Sequence, residues 1–276
     1  MSGIAADVAR RTLLAAALAV LGAFFALPLL WLVLAPFDAR GSLTAHLPQR
    51  PTLQNFADVF HNGLAMTGIV NSVILAGGTM LLVTLTATMA AYALSRTRVP
   101  HYELLTYALI LFSSVVSGTA AIVPLFLLAD ALHLVDSYLG VILAFTGGLL
   151  PAAIFILRDF VEGLPRSYEE AALVAGASPL QLFRDVVMPL LRPGMMVVAI
   201  WTFVNVWGAF LIPFVLLRSP SATPASIAIY SFYTEAGLPV LTLTAAYSLL
   251  YAIPVVLLYL FVNWRYGFRF FGGLKG

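Results

Sequence analysis

A chain of 276 residues with 62% hydrophobic and 9% charged side chains, at a mean hydropathy of +1.00, is not an ordinary water-soluble domain; its solvent is lipid. The formal charge of +2, from 13 Arg and one Lys against 12 acids, is too small to hold nucleic acid. Cysteine is absent, which excludes disulfides, thiolate metal sites and cysteine nucleophiles.

Crossing a hydrocarbon core of about 30 Å takes roughly 20 mainly apolar residues. Six stretches qualify: 13–36, 71–94, 104–129, 138–157, 195–217 and 241–262. The first follows Arg10 and Arg11 as a signal peptide would, but its apolar run exceeds the roughly 7–15 residues of a signal core, so a retained helix is expected. Six spans put both termini on one side. Arg10, Arg11, Arg96, Arg98, Arg158, Arg166, Arg184, Arg192, Arg265, Arg269 and Lys275 then share that side, against Arg40, Arg50 and Arg218 opposite. Basic residues are retained in the cytoplasm, so both ends are expected inside. Pro28, Pro124, Pro151, Pro213 and Pro254 fall within the spans, where neighbouring groups satisfy the carbonyls they free. Outside, 37–65 is expected to hold a short surface helix from about Thr52, and 218–240 reads as loop from its Ser, Thr, Pro and Gly.

Segment 158–194 is the one long charged inner piece, and its local signals predict a helical hairpin. Ser167 followed three residues on by Glu170 reads as a capping box that starts a helix at Tyr168. Gly176 suits the left-handed residue that ends it. Ser178 caps a second helix with Pro179 at its first position. Leu180, Phe183 and Val187 give that helix an apolar stripe, and Pro189 is expected at or just past its end. Such a hairpin needs a partner for its apolar face, from this chain or another.

The pattern Glu170-Ala171-Ala172, Gly176, Val186 and Met188-Pro189 resembles the EAA loop of binding-protein-dependent ABC importers, with Met188 where the family usually has Leu. Further fragments resemble the maltose-type carbohydrate branch, in its second membrane subunit: Asn71-Ser72, Ala90 to Arg96, Pro124-Leu125-Phe126, Asp136-Ser137-Tyr138-Leu139-Gly140 and Gly272 to Gly276. The tail is short and lacks a Thr-Ala-Gly stretch, and Asn205-Val206 lacks the acid that relatives often carry after the asparagine.

The resemblance implies an all-α integral membrane fold, an ABC importer type I permease of six transmembrane helices in one domain, 1–276, with 158–194 as its cytoplasmic coupling loop. It implies ATPase coupling through Glu170, Ala171, Ala172, Gly176, Val186 and Pro189. It implies a bacterial inner-membrane setting with a second homologous permease, two ATPase subunits and an extracytoplasmic binding protein as partners. No cofactor is expected on this chain: a Gly-x-x-x-x-Gly-Lys-Ser/Thr phosphate loop is absent, which leaves ATP and Mg to the partner ATPases.

A sugar pathway needs hydroxyl-matching groups and flat aromatic faces. Asn205, Trp207, Ser117 and Tyr247 are the leading candidates, with Trp201, Thr202, Ser113, Ser114, Ser248 and Tyr251 behind them. Each has a structural alternative: hydroxyls bond back to helix carbonyls, and Trp or Tyr anchors an interface. His46, His61, His101 and His133 lie outside or at the edge of spans and read as surface residues. Two other readings stay open. One is a permease for glycerol phosphate, a polyamine or an inorganic anion; the other is a membrane-embedded enzyme, which would need His or carboxylate clusters at a membrane face.

Overall fold

The computed structural model describes residues 2–41, 47, 48, 50–97, 104, 107, 108, 111 and 119–266. Among them the regular structure is helical, with two isolated β-bridges, Asp38 to Pro51 and Tyr233 to Pro239. The main helices are α1 (Ser2–Leu34), α2 (Gln54–His61), α3 (Gly63–Arg96), α4 (Ile122–Ala131), α5 (Tyr138–Glu162), α6 (Ser167–Val174), α7 (Pro179–Trp207), α8 (Leu211–Leu216) and α9 (Leu241–Tyr266). Five of these, α1, α3, α5, α7 and α9, are long and apolar enough to cross a membrane. Of the expected span 104–129, residues 105, 106, 109, 110 and 112–118 lie outside the described residues, and its end falls within α4.

The span edges move for local reasons. α3 begins at Gly63 because Asn62 caps it, its Oδ1 accepting from Ala65 N at 3.0 Å. The fifth span is displaced: α7 runs from Pro179 to Trp207, and the chain breaks at Gly208–Phe210 before the short α8. Pro28, Pro151 and Pro254 sit inside continuous helices.

The chain divides into two compact units. The first comprises 1–66 and 229–276. None of the most apolar stretch of α1 is buried, and Leu13, Leu18, Val20, Phe24 and Phe25 are all at least 65% exposed, a surface only lipid tolerates. The surface helix α2 starts at Gln54, where Thr52 Oγ1 accepts from Gln54 N at 3.0 Å. Asn55 fastens it by donating to Pro36 O and Asp38 O at 2.8 and 2.9 Å.

The second unit, 67–228, has a core of α3, α5 and α7. Val83, Ala87 and Ala91 recur at i+4 on α3, as do Ala153, Leu157 and Val161 on α5, and α7 supplies Leu182, Val187, Leu191 and Val198. Since lipid is as apolar as these side chains, association rests on close van der Waals approach, which small residues permit. Gly194 is an instance: an added Cβ would lie 2.6 Å from the Phe160 ring.

At one end of this unit the run Asp136 to Gly140 works as a fastening. Asp136, at φ 58, accepts from Arg218 N and Ser219 N at 2.9 Å and from the Ser219 hydroxyl. Ser137 caps α5, accepting from Gly140 N at 3.0 Å while donating to Leu134 O at 2.7 Å. Tyr138 donates to Asn71 Oδ1 at 2.8 Å, and the buried Asn71 donates onward to Ser221 O and Thr223 O at 2.8 and 2.9 Å. Ser72 Oγ accepts from Ala225 N at 2.9 Å. Those of Asn71 and Ser72 satisfy groups that would otherwise be buried without water, whereas Asp136 stays exposed.

Gly140 admits no side chain, since a Cβ would sit 2.2 Å from Leu134 O. Gly140→Ala should destabilise the detergent-solubilised chain by about 1–3 kcal/mol, whereas Gly22→Ala, with open space, should be neutral; thermal unfolding of both checks this. The hydrogen bonds from Ser219 and Arg218 hold the Asp136 carboxyl below the usual carboxylate range, so their stabilisation is present above the unfolded value and lost as pH falls through the folded one. The Tm difference between wild type and Asp136→Asn should therefore be constant from neutral pH to about 4 and shrink below it.

Candidate functional site

The segment between α5 and α7 is the predicted hairpin, with its closing turn as expected and its opening turn different. α6 ends in a Schellman motif: Gly176 stands at φ +85, its N–H donates to Leu173 O at 3.0 Å, and Ala177 N donates to Ala172 O at 3.0 Å. Ser178 then caps α7 with Pro179 next, in a full capping box in which Gln181 Oε1 accepts from Ser178 N at 2.9 Å. The Ser-x-x-Gln spacing that announces this box is plain in the sequence.

At the other end, Ser167 and Glu170 form no capping box. Arg166 is already helical, at φ −62 and ψ −22, and Glu170 N donates to Arg166 O at 3.0 Å. An N-cap needs an extended backbone, and Pro165, with its φ preset, brings the chain into the helix too early for Ser167 to serve.

Neither does Pro189 end the second helix. The turn Leu182–Val187 is π-helical, and Met188 N donates to Phe183 O, one residue further back than in an α-helix. The wider turn relieves the clash of the Pro189 ring with the preceding carbonyls, so α7 runs on to Trp207. The same widening alters the apolar stripe. Leu182 and Val187 are buried and Phe183 and Val186 pack against them, while Leu180 is 74% exposed.

Two adjacent acids on α6 face different ways. Glu170 and Ala171 are exposed, as are Tyr168, Leu173, Val174 and Leu180, of which Val174 is 90% exposed. Ala172 packs against the core and Pro189 is half-buried. Glu169 turns inward. Its carboxylate meets the Arg96 guanidinium, with Nη2 to Oε1 at 2.6 Å and Nε to Oε1 at 2.8 Å, and accepts from Tyr92 OH at 3.0 Å. The same Nη2 donates to Val161 O and Leu164 O at 3.2 and 3.4 Å, at the end of α5. Tyr92 and Arg96 stand at i and i+4 on the last turns of α3, a signal present in the fragment Ala90 to Arg96 but given no role there.

The pathway candidates separate. Asn205 lines a cavity of about 270 Å³ with Ile122, Leu125, Phe145, Leu149 and Phe210, and donates to Trp201 O at 2.7 Å. None of the described lining residues is charged. Trp207 is buried at 3% exposure and stacks on Phe203, with centroids 5.4 Å apart. In the other unit, Tyr247 is fully buried, donates to Ala65 O at 3.2 Å and packs on Phe232. Thr202 is buried and Ser248 bonds back to Thr244 O. Ser117, Ser113, Ser114, His46 and His101 lie outside the described residues; His61 and His133 are exposed. Among the described residues no cluster of His, Asp or Glu could hold a metal ion.

The fold is that of a solved bacterial ABC transporter involved in the import of the acidic polysaccharide alginate, at TM-score 0.79 and 21% identity over 95% of this chain and 98% of that one. In sequence, the galactooligosaccharides transport system permease protein GanQ of Bacillus subtilis (strain 168) is 30% identical over 94% of this chain and 93% of its own. The maltodextrin transport system permease protein MdxG of the same organism is 30% identical over 82% and 81%. Residues 101–267 match the family described as the binding-protein-dependent transport system inner membrane component. The chain belongs to that family, as a multi-pass transport permease subunit and not an enzyme.

Proposed function

We propose that this permease carries a carbohydrate, and that segment 158–194 within a single transmembrane domain, 1–276, is the seat of a separate ATPase. In this reading both termini and the hairpin are cytoplasmic, and a second homologous permease, two ATPase subunits and an extracytoplasmic binding protein complete an importer of the bacterial inner membrane. The observation that carries the seat is the exposed face of the hairpin. Leu173 and Val174 flank Glu170 on α6, and Tyr168 and Leu180 are exposed on the same hairpin, whose turn Gly176 fixes: apolar side chains around one carboxylate that neither water nor headgroups would bury. Glu170 is the group available for a basic partner, Ala171 permits close approach, and Ala172, Val186 and Pro189 hold the hairpin to the membrane helices.

The sugar class is supported from two sides. Relatives are named for galactooligosaccharide and maltodextrin transport. The cavity beside Asn205 offers one amide among apolar and aromatic walls, which suits an uncharged polar solute better than a phosphate, a polyamine or an inorganic anion. Trp207, buried against Phe203, enters this reading as a support of the helix that carries Asn205 and not as lining.

Transport then follows by population shift. ATP closes the ATPase pair, the pair displaces the hairpins it holds, and the membrane helices change from one access state to the other. A hairpin that cannot be seated abolishes that shift.

In the assembled transporter, Glu170→Ala combined with Gly176→Pro should lower uptake at least ten-fold and release the ATPase on purification, because proline cannot adopt the φ of +85 held by Gly176. Uptake that survives both changes sinks the seat. Asn205→Leu should reduce uptake several-fold while the ATPase stays bound. Uptake of a charged solute in preference to neutral sugars by the native transporter would overturn the carbohydrate reading.

A further inference from the structure

Glu169 lies on the side of α6 opposite the exposed face, where its partners Arg96 and Tyr92 join it to α3, to the end of α5 and to the π turn. Its carboxylate takes hydrogen bonds from Arg96 at 2.6 and 2.8 Å and from Tyr92 at 3.0 Å, both on the last turns of α3. Arg96 spends its remaining reach on Val161 O and Leu164 O, the carbonyls where α5 ends. Tyr92 in turn packs its ring on Phe183 of the π turn, with centroids 5.6 Å apart, so α3 grips both helices of the hairpin.

The side chains of Arg96 and Glu169 are only 16% and 13% exposed. A guanidinium fork on a shielded carboxylate is stronger and more directional than a surface ion pair. It also costs desolvation, so its worth lies in fixing geometry more than in stability. Along the chain, α6 connects to α5 through residues 163–166, of which Leu164 alone, half-buried, packs against the core. Without the bridge a load on the hairpin would be absorbed there.

We infer that Arg96 and Glu169, with Tyr92, are positioning residues for energy coupling: they lock the hairpin to α3 so that a displacement of the hairpin is delivered to that membrane helix. This rests on the hairpin being the ATPase seat. Glu170 then holds the motor and Glu169 transmits its stroke, and loss of the two acids gives different failures.

The test uses the complete transporter in liposomes, with uptake and ATP hydrolysis measured on the same vesicles. Glu169→Gln should still retain the ATPase on purification, yet the solute moved per ATP should fall about five-fold or more. Arg96→Lys keeps the charge and loses the fork, so its ratio should fall less. A ratio unchanged in Glu169→Gln overturns the inference, even if both rates drop together. Because the chain has no cysteine, spin labels at Thr97→Cys and Arg184→Cys, both exposed positions, read the joint directly. One narrow distance, equal in nucleotide-free and ATP-bound transporter, is expected natively, with broadening in Glu169→Gln; a native distance that differs between the two states overturns the inference. If the native chain retains no ATPase, the seat and the joint fall together, whereas failure of the ratio or the distance removes the joint alone.

Discussion

Hydrocarbon gives a helix no reason to prefer a neighbour's apolar face over an acyl chain, and the rest of this structure follows from that. What holds α3, α5 and α7 together is packing of small side chains: Ala87, Ala91 and Ala153 in one shared core, and Gly194 against the Phe160 ring. Specificity is then left to a few polar groups that must find partners because no water is available. They collect at the two ends of the second unit. Asn71, Ser72, Tyr138 and Asp136 secure one end, while Tyr92, Arg96 and Glu169 secure the other. Between them the buried hydroxyls of Thr88 and Thr146 bond back to their own helices and instruct no partner.

Both ends use a side chain to bind backbone that has no regular partner. Asn71 and Asp136 hold an irregular run after α8, and Arg96 holds the last turn of α5 and the Leu164 carbonyl beyond it. A loop fixed in this way becomes an extension of the helix that grips it. This distinguishes the hairpin 158–194 from an ordinary surface connection: its closing turn is set by Gly176 and Ser178, and its orientation by a helix far away in sequence.

What the sequence made legible was local. Gly176 and Ser178-Pro179 reveal their conformations through steric rules confined to a few residues, and the helix ends at Tyr138 and Leu241 are equally plain. Ser167 and Glu170 obey the same spacing rule and yet form no box, because Arg166 is already helical. Choosing between Glu169 and Glu170 required knowing that Arg96 lies alongside, a contact across 73 positions that no periodicity encodes. The continuation of α7 through Pro189 depended on a π turn, which has no compositional signature. Trp207 and Tyr247 show a further limit: an aromatic residue in a span has the same sequence signal whether it faces a solute or a neighbouring ring.

The first helix stands apart from these constraints. Within this chain none of its most apolar stretch is covered. Side chains that touch only lipid are interchangeable so long as their summed hydropathy and length are kept. Evolution is therefore free to rewrite α1 letter by letter, and relatives should show there a fast, uncorrelated drift, while Tyr92, Arg96 and Glu169 change together or not at all.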